Sequence, residues 1–288
     1  MTSNLSGEVD HRFPIRQVQT KTGAISYRES GNSNDKVIIL LHGIGSGSGS
    51  WFGQLDKLSA DYHVIAWDAP GYGSSVELLS NNPSADDYAE ELINFLNILK
   101  IEPYIIIGHS LGALIAGAYA AKNATIGLVL ILANPANGYG NLNKAERDKK
   151  LSVRLERMEA LGPKGLAEAR SSVLLSDNAT NEALELVRWN MSMLSVSGHS
   201  HAAHMLARAN LMLDAAKYAG PVLVVCGSAD SVIPETAAKN IAAAYPNGQY
   251  KTLPNVGHAS YVEDPTLFNY TIINFVDSLN EQFREVNR

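Results

Sequence analysis

The sequence predicts an α/β fold in which a doubly wound, mostly parallel sheet carries a helical insertion. Two observations predict this fold. Five short, apolar and β-branched runs are typical of strands that are buried on both faces of a parallel sheet; they cover residues 37–41, 62–67, 104–107, 127–132 and 221–226. Helical stretches alternate with these runs, as they do in doubly wound sheets. A chain of 288 residues, 45% of them hydrophobic, is long enough to bury the core of such a sheet.

Turn, cap and periodicity signals predict the elements around these strands. Gly23 and Gly31 flank half-alternating segments, a pattern that favours an edge hairpin. Ser84 is a candidate N-cap and is followed by two acids in the first helical turn. The predicted elements are, in order, a loose leader over 1–13, the hairpin over 15–30, helices over 84–99, 111–122 and 235–245, a strand over 249–253, and a final helix from 265 to about 282.

Residues 135–213 break the alternation of strands and helices. The segment contains no apolar strand run, and its pattern favours helices over 144–160, 163–175 and 180–194. We therefore expect a core domain formed by residues 1–134 and 214–288, and a helical lid formed by residues 135–213 that shapes an apolar pocket. Four lid methionines are candidates for the pocket wall: Met191, Met193, Met205 and Met212.

Charge and cysteine content argue against several classes of function. A net charge of -6 does not favour a basic, nucleic-acid-binding surface. Cys226 is the single cysteine, so an intrachain disulfide is excluded, and its apolar surroundings predict a buried strand position. The polar N-terminus is unlike a signal peptide, and no apolar run reaches the roughly 18 residues of a membrane helix. We expect a cytoplasmic protein with a small-molecule substrate, no nucleic-acid or membrane partner, and a possible homodimer.

Residues 108–112 read Gly-His-Ser-Leu-Gly and lie between a predicted strand and a predicted helix. This is the strand–turn–helix context of the G-x-S-x-G nucleophile elbow, whose glycines allow a tight turn and close packing of helix on strand. Such a turn exposes the serine, and the helix N-terminus stabilises negative charge beside it. Ser110 is therefore the predicted nucleophile, and a structural turn that merely holds a serine is the alternative.

A serine hydroxyl is a weak nucleophile without a base. His258 follows the last predicted strand, and Asp230 follows the strand over 221–226, at the end where open α/β sheets place their sites. The chain order Ser, Asp, His matches that of nucleophile-elbow enzymes. We predict that His258 is the base and that Asp230 orients it; a turn or cap role is the alternative for Asp230.

Two backbone N–H groups are needed to stabilise the negative charge that develops on a substrate oxygen. We predict that Leu111, directly after the nucleophile, supplies one of them. Ile44, in the loop after the strand over 37–41, is predicted to supply the other, with Gly45 as the second choice. This Gly- and Ser-rich loop lacks the G-K-[ST] ending of a phosphate-binding loop.

Together these motifs resemble the α/β-hydrolase family over about residues 25–282. His42-Gly43, the turn over 68–74 and the motifs that hold Ser110, Asp230 and His258 stand in the family's order and rough spacing. The resemblance implies that the turn over 68–74 is structural. A serine nucleophile, rather than an aspartate, argues against haloalkane dehalogenases and epoxide hydrolases. We expect no cofactor and no metal.

The lid and the Gly-rich loop that ends at Trp51 look like those of the meta-cleavage product hydrolases. These enzymes cleave a C–C bond in dienones from aromatic degradation, and a lid arginine meets the acid end of their substrate; Arg188, next to Trp189, could match it. The chain departs from that group at His109, where asparagine is usual, and at Ala259, where tryptophan is usual. A solvated lid arginine is the alternative for Arg188.

Residues 257–263 look more like the 3-oxoadipate enol-lactonases and small carboxylesterases. The favoured function is hydrolysis of a small carboxylic ester, lactone or related carbonyl compound through a Ser-His-Asp triad. C–C hydrolysis is the alternative, and a non-catalytic ligand-binding relative is a remote one. Four residues are candidate substrate contacts: Gly45, His109, Arg188 and Trp189.

The histidines at 199, 201 and 204 invite a different interpretation, as zinc ligands. Their spacing nearly matches the H-x-H-x-D-H run of metallo-β-lactamase-type lactonases, but Ala203 stands where that run has aspartate. A zinc site also requires further ligands and partners for them, which the neighbouring sequence does not offer. We therefore predict no metal site.

Overall fold

The computed structural model describes residues 5–123 and 127–286, with side chains to residue 281. Within these residues eight strands form one sheet of order β1-β2-β4-β3-β5-β6-β7-β8. Strands β1 and β2 form an antiparallel hairpin, β2 pairs antiparallel with β4, and every pair from β4 to β8 is parallel. The strands are β1 (Arg16–Gln19), β2 (Ala24–Ser30), β3 (Val37–Leu41), β4 (His63–Trp67), β5 (Pro103–His109), β6 (Val129–Ala133), β7 (Val222–Gly227) and β8 (Gly248–Leu253).

Helices cover both faces of this sheet. In the described part of the chain they are α1 (Leu5–Arg12), α2 (Phe52–Lys57), α3 (Ala85–Leu99), α4 (Leu111–Lys122), α5 (Lys144–Arg170), α6 (Asn181–Ser192), α7 (Val196–Arg208), α8 (Leu211–Ala215), α9 (Glu235–Ala244), α10 (Ser260–Glu263) and α11 (Pro265–Val286). Alternate residues of β3 enter two separate cores: Ile39 belongs to the one that includes residues of α3, α4, α8 and α9, and Ile38 to the one that includes residues of α1, α2, α10 and α11. The predicted doubly wound, mostly parallel α/β fold is confirmed.

The N-terminal segment corrects one prediction. We expected a loose leader over residues 1–13, but Leu5–Arg12 is a helix whose Val9 is fully buried; residues 1–4 lie outside the described residues. The reason is Arg28 of β2, a buried cation that needs partners. Its guanidinium donates to the carbonyl of Phe13 and, at 2.6 Å, to Oδ1 of Asp10. The helix α1 is therefore held to the sheet by a buried charge that the local sequence does not reveal.

Four helices, α5 to α8, separate β6 from β7, and we call them the inserted helices. The expected break near residue 162 is present, because Gly162 has φ 62° and Pro163 follows it, so α5 bends there. Its second part ends at Arg170, earlier than the predicted residue 175, and a 3-10 turn over Ser172–Leu174 follows. Helix α7 is an addition to the predicted helices. Its N-cap Ser195 accepts the N–H of Gly198, which starts a helix in a segment rich in weak helix formers.

The parallel register places the ends of four strands side by side. Leu41 of β3 pairs with Gly108 of β5, and His109 pairs with Ala133 of β6. Ala133 in turn pairs with Val225 of β7. The loops that follow β3, β5, β6 and β7 therefore meet at one edge of the sheet, where open α/β folds bind their ligands. None of the helices described is long and apolar enough to cross a membrane.

Candidate active site

Ser110 stands in a strained turn between β5 and α4. Its backbone has φ 50° and ψ -109°, a conformation that costs free energy for a residue with a Cβ atom. The turn is fixed by the Ser110 N–H, which donates to the carbonyl of Ala133 at 2.9 Å. Glycine is required on both sides, since a Cβ at Gly108 would lie 2.5 Å from the carbonyl oxygen of Gly112, and one at Gly112 would lie 2.2 Å from that of Leu41. This is the geometry that presents a side chain above the sheet edge.

His258 and Asp230 form a buried pair at the same edge. Nδ1 of His258 lies 2.9 Å from Oδ2 of Asp230, and the two side chains are 4% and 1% exposed. The other carboxylate oxygen, Oδ1, accepts the N–H groups of Val232 and Ile233 at 2.7 and 2.9 Å. Burial alone would raise the pKa of Asp230, but the bonds from His258, Ile233 and Asn134 outweigh it and hold that pKa below its usual range. The carboxylate therefore remains charged and fixes the imidazole with Nδ1 protonated.

Asn134 is a member of this network that sequence reasoning missed. It follows β6, is fully buried, and has φ 46°, which asparagine tolerates better than most residues. Its Nδ2 donates to Oδ2 of Asp230 at 2.8 Å and to the carbonyl of Gly257 at 3.3 Å, while its Oδ1 accepts from Ser260 Oγ at 2.7 Å. Asn134 thus joins the acid to the loop that carries His258. The asparagine directly after an apolar strand is the signal that could have revealed it.

Replacing Asn134 by glycine should remove this link without straining the backbone. We expect kcat to fall by about 10- to 100-fold, because a hydrogen bond to a charged group contributes about 1.5–3 kcal/mol. The pKa of Asp230 should rise, since one of the bonds that lower it is lost. Steady-state kinetics against pH measure both effects. Asn255→Gly is the matched control, because Asn255 also has a positive φ (60°); an equal loss in this control would contradict the role of Asn134.

Cys226, in β7, lies behind the same carboxylate. The thiol is fully buried, and its Sγ is 3.9 Å from Oδ2 of Asp230 and 3.9 Å from Nδ2 of Asn134. Burial, together with the nearby charge of Asp230, raises the pKa of Cys226 to about 12. The thiol is therefore un-ionised and inert in the folded chain, and the predicted buried strand position is the one observed.

His109 supports the backbone of His258. Its Nε2 donates to the carbonyl of His258 at 2.9 Å, and its ring packs against the rings of His258 and Tyr261, with centroids 4.9 and 4.8 Å away. Burial and the adjacent His258 lower the pKa of His109 to about 3, so the ring is neutral. Its Nδ1 is buried and has no hydrogen-bond partner in the described structure. The residue before Ser110 thus helps to hold the loop of the predicted base.

The two predicted oxyanion donors are free for a ligand. Leu111 begins α4, so its N–H has no acceptor within the helix. The carbonyl of Gly43 accepts from His42 Nδ1 at 2.9 Å and from Ser46 N at 3.1 Å. Because C=O and N–H of a trans peptide point in opposite directions, the N–H of Ile44 points away from both groups. Neither N–H has an acceptor among the residues that the structure describes.

A cavity of about 390 Å³ opens above this edge of the sheet. Its wall includes Ser110, His258, His109 and the loop from Gly43 to Ser46, so six of the nine predicted site residues line it, and a seventh, Asp230, is bonded to His258 behind the wall. The other two predicted contacts lie elsewhere. Arg188 is exposed on α6. The indole of Trp189 packs so closely on Gly49 that a Cβ atom added to this glycine would lie 2.7–2.8 Å from the ring. Neither of them lines the cavity.

The inserted helices supply the opposite wall of the cavity. Of the four methionines singled out in the sequence, Met191 lines it, Met205 is buried in the core, and Met193 and Met212 are exposed. The wall also carries three arginines, which sequence reasoning did not single out: Arg154, Arg157 and Arg170. Their shared face becomes apparent only once α5 is folded.

The histidines at 199, 201 and 204 do not converge on one point. His199 is 3% exposed and lines the cavity, whereas His201 and His204 are partly exposed further along α7. Among the described residues, no group of three or more His, Cys, Asp or Glu side chains is arranged to hold a metal ion. His199 therefore belongs, by position, to the wall of the cavity.

Comparison with known proteins assigns the family. A profile of the α/β hydrolase fold family matches residues 36–265, which is most of the chain. The chain belongs to the α/β hydrolase fold family. It is therefore a hydrolase, and the expectation of an enzyme with this fold is confirmed.

The relatives of this α/β hydrolase carry the names of different hydrolases. It is 29% identical over 248 residues to an Escherichia coli protein named "Putative carbamate hydrolase RutD", and the match covers 84% of this chain and 92% of that protein. The enol-lactonase from Burkholderia xenovorans LB400 is 22% identical, with a TM-score of 0.82 over 91% of this chain and 100% of that one. The esterase RhEst1 from Rhodococcus sp. ECU1013 is 26% identical, with a TM-score of 0.76 over 92% and 99%.

Proposed function

We propose that this α/β hydrolase cleaves a small carboxylic ester or lactone through a covalent acyl-enzyme. Ser110 is the nucleophile, His258 the base and Asp230 the acid that orients the base. The observation that carries the proposal is the buried bond of 2.9 Å between His258 Nδ1 and Asp230, in the wall of a cavity that also holds the strained Ser110. Because Nδ1 is occupied, Nε2 is the nitrogen that can accept the proton of Ser110.

The reaction then follows from the groups around the cavity. Ser110 Oγ attacks the substrate carbonyl while His258 takes its proton, and the N–H groups of Ile44 and Leu111 stabilise the oxyanion. His258 returns the proton to the departing alcohol oxygen, which leaves an acyl group on Ser110. A water molecule, deprotonated by His258, releases the acid. Asp230 stabilises the imidazolium at each step without accepting its proton.

The same steps apply to a carbamate, which is an acyl derivative with nitrogen on the carbonyl. The name of the E. coli relative therefore adds carbamates to the substrates worth testing. The C–C hydrolase alternative drew on the Gly-rich loop that ends at Trp51, on the lid and on Arg188, and of these Arg188 does not line the cavity. His109 and Ala259, where that group usually has asparagine and tryptophan, both line it. Ester or lactone hydrolysis is accordingly the reaction that the site supports best.

We further propose that residues 135–213 act as a lid over the core formed by residues 1–134 and 214–288. The inserted helices contribute apolar side chains to the cavity wall, among them Leu166, Val187, Met191 and Leu206. Such a wall excludes water from the reacting carbonyl and so strengthens the polar interactions that stabilise the oxyanion. The cytoplasmic location and the possible homodimer stay predictions.

A fluorophosphonate probe tests the proposed function. We expect it to modify the enzyme once, at Ser110, and to abolish hydrolysis of p-nitrophenyl esters, with the modified peptide identified by mass spectrometry. Ser152→Ala, on the exposed side of α5, is the control and should be labelled like the wild type. Activity that is lost with a chelator instead, or labelling at another serine, would contradict the assignment. Assays with an enol-lactone, a carbamate and a ring-fission dienoate then rank the substrates.

A further inference from the structure

Three arginines face the cavity that holds Ser110. Arg154 and Arg157 lie one helical turn apart on α5, which places them on one face of that helix. Arg170 lies beyond the bend at Gly162 and lines the same cavity. Because Arg170 lines the same cavity as Arg154 and Arg157, the bend brings the second part of α5 back to the wall that the first part forms. We call these three residues the arginine cluster.

No protein anion neutralises the arginine cluster. Over the described residues, none of its members forms an ion pair or a side-chain hydrogen bond, and no aspartate or glutamate lines the cavity. Arg12, Arg16 and Arg28 of the core each pair with a carboxylate. Arg147, Arg188 and Arg208 of the inserted helices do not line the cavity, so the cluster differs from them by its position. Burial and the charges of Arg157 and Arg154 lower the pKa of Arg170, as expected for cations that repel one another. A chain of net charge -6 thus concentrates unpaired positive charge in one wall of its cavity.

His199 adds a second, independent observation. It is 97% buried, lines the same cavity from α7, and its buried Nδ1 has no hydrogen-bond partner in the described structure. Burial, aided by the charge of Arg154, lowers the pKa of His199 to about 4, so its ring is neutral. Buried polar groups are rarely left without a partner. A polar ligand in the cavity would supply one.

The arginine cluster shares the cavity with the loop from Gly43 to Ser46, which carries the proposed oxyanion donor Ile44. The hydroxyl of Tyr72 donates to the carbonyl of Ile44 at 3.0 Å, and the charge of Arg154 acts on that hydroxyl. A ligand in the cavity can therefore place a carbonyl at Ser110 while another part of it contacts Arg154. A second depression of about 430 Å³ shares Arg154, Arg157 and Lys150 with the cavity; it also holds Lys149 and Glu146, so four basic residues stand there against one acid.

We propose that the substrate carries a carboxylate, which the arginine cluster binds while Ser110 attacks an ester or lactone carbonyl in the same molecule. The substrate class is thus the half-esters and lactones of short dicarboxylic acids. Guanidinium groups bind carboxylates through two parallel N–H···O bonds, so an arginine site fits this class well. The inference rests on the proposed function, because it assigns the reacting carbonyl to Ser110.

A matched pair of substrates tests the proposal. The mono-p-nitrophenyl esters of glutaric, adipic and pimelic acid are compared with their methyl p-nitrophenyl diesters. The two series share the chain and the leaving group, and only the first carries a free carboxylate. For at least one chain length we expect kcat/KM of the free acid to exceed that of its methyl ester by 10-fold or more, because binding of the carboxylate lowers KM. Added salt should reduce this ratio. Each of Arg154→Met, Arg157→Met and Arg170→Met should lower the ratio by about 10- to 100-fold.

Arg208→Met, an exposed arginine on α7, is the matched control and should leave the ratio unchanged. Binding of adipate to Ser110→Ala, measured by calorimetry, provides a readout that does not depend on turnover. Variants that unfold are replaced by the Arg→Lys series, which keeps the charge and should retain part of the ratio. A wild type that prefers the methyl ester at every length would overturn the proposal, as would an equal loss in Arg188→Met. If the fluorophosphonate probe also fails to label Ser110, the proposed function has failed instead.

Discussion

Ser110→Ala is expected to lower kcat for a p-nitrophenyl ester by about 10⁴- to 10⁶-fold, with little change in KM. The variant lacks the only oxygen that can form the acyl-enzyme in the proposed mechanism, while the cavity and the oxyanion N–H groups are untouched. Removal of a triad serine elsewhere has an effect of this size, and the remaining rate comes from oxyanion stabilisation and substrate binding. Stopped-flow measurements should also lose the burst of p-nitrophenol that marks acylation.

The strained turn offers an internal check on this experiment. Ser110→Gly should be as inactive as Ser110→Ala, yet more stable to denaturant by about 1–2 kcal/mol, because glycine adopts φ 50° and ψ -109° without a Cβ penalty. Ser152→Ala should match the wild type in both activity and free energy of unfolding. Retention of more than a tenth of the wild-type kcat in either Ser110 variant would refute the role of Ser110.

Asp230→Asn is expected to lower kcat by about 10⁴-fold, the size of the same change in a serine protease. The surroundings of Asp230 explain why. Val232 and Ile233 donate to Oδ1, so the amide must place its oxygen there and its NH₂ group toward His258. The NH₂ group then donates to Nδ1, which moves the ring proton to Nε2 and leaves no base for Ser110. It also meets the NH₂ group of Asn134, a second donor.

Kinetics above about pH 6 measure this loss cleanly, because the wild-type carboxylate has a lowered pKa and is ionised there. Asp214→Asn is the control; Asp214 pairs with Lys217 at the surface and should tolerate the change. NMR of the His258 ring in Asp230→Asn should show the proton on Nε2. A variant that keeps the Nδ1 proton and the wild-type rate would remove Asp230 from the mechanism.

Sequence patterns predicted the parts of this molecule that are determined by residues close together in the chain. Apolar β-branched runs identified the strands of the parallel sheet, because such runs are buried wherever helices cover both faces. The elbow around Ser110 was visible because its two glycines are required by contacts within a few residues and with the neighbouring β3. The order of strands and motifs then brought Asp230 and His258 to the same edge.

Features that depend on distant contacts were not predictable in this way. The helix α1 is short and polar, and it is held by Arg28 from another element. Asn134 and Asp230 are 96 residues apart in sequence, so their bond is hidden until β6 and β7 pair. For the same reason the sequence indicated Arg188, which stands beside a tryptophan, as a substrate contact. The arginines of α5 were not predicted, because they reach one cavity only through the bend at Gly162.

The buried thiol of Cys226 allows the opening of the folded chain to be followed with a thiol reagent. Since the chain has a single cysteine, any signal from a disulfide reagent comes from one atom, which lies behind the carboxylate of Asp230. Burial raises the pKa of this thiol to about 12, so very little of the reactive thiolate is present at pH 8. The reagent is therefore expected to react only when the end of β7 opens, so its rate measures local unfolding beneath the loop that carries His258.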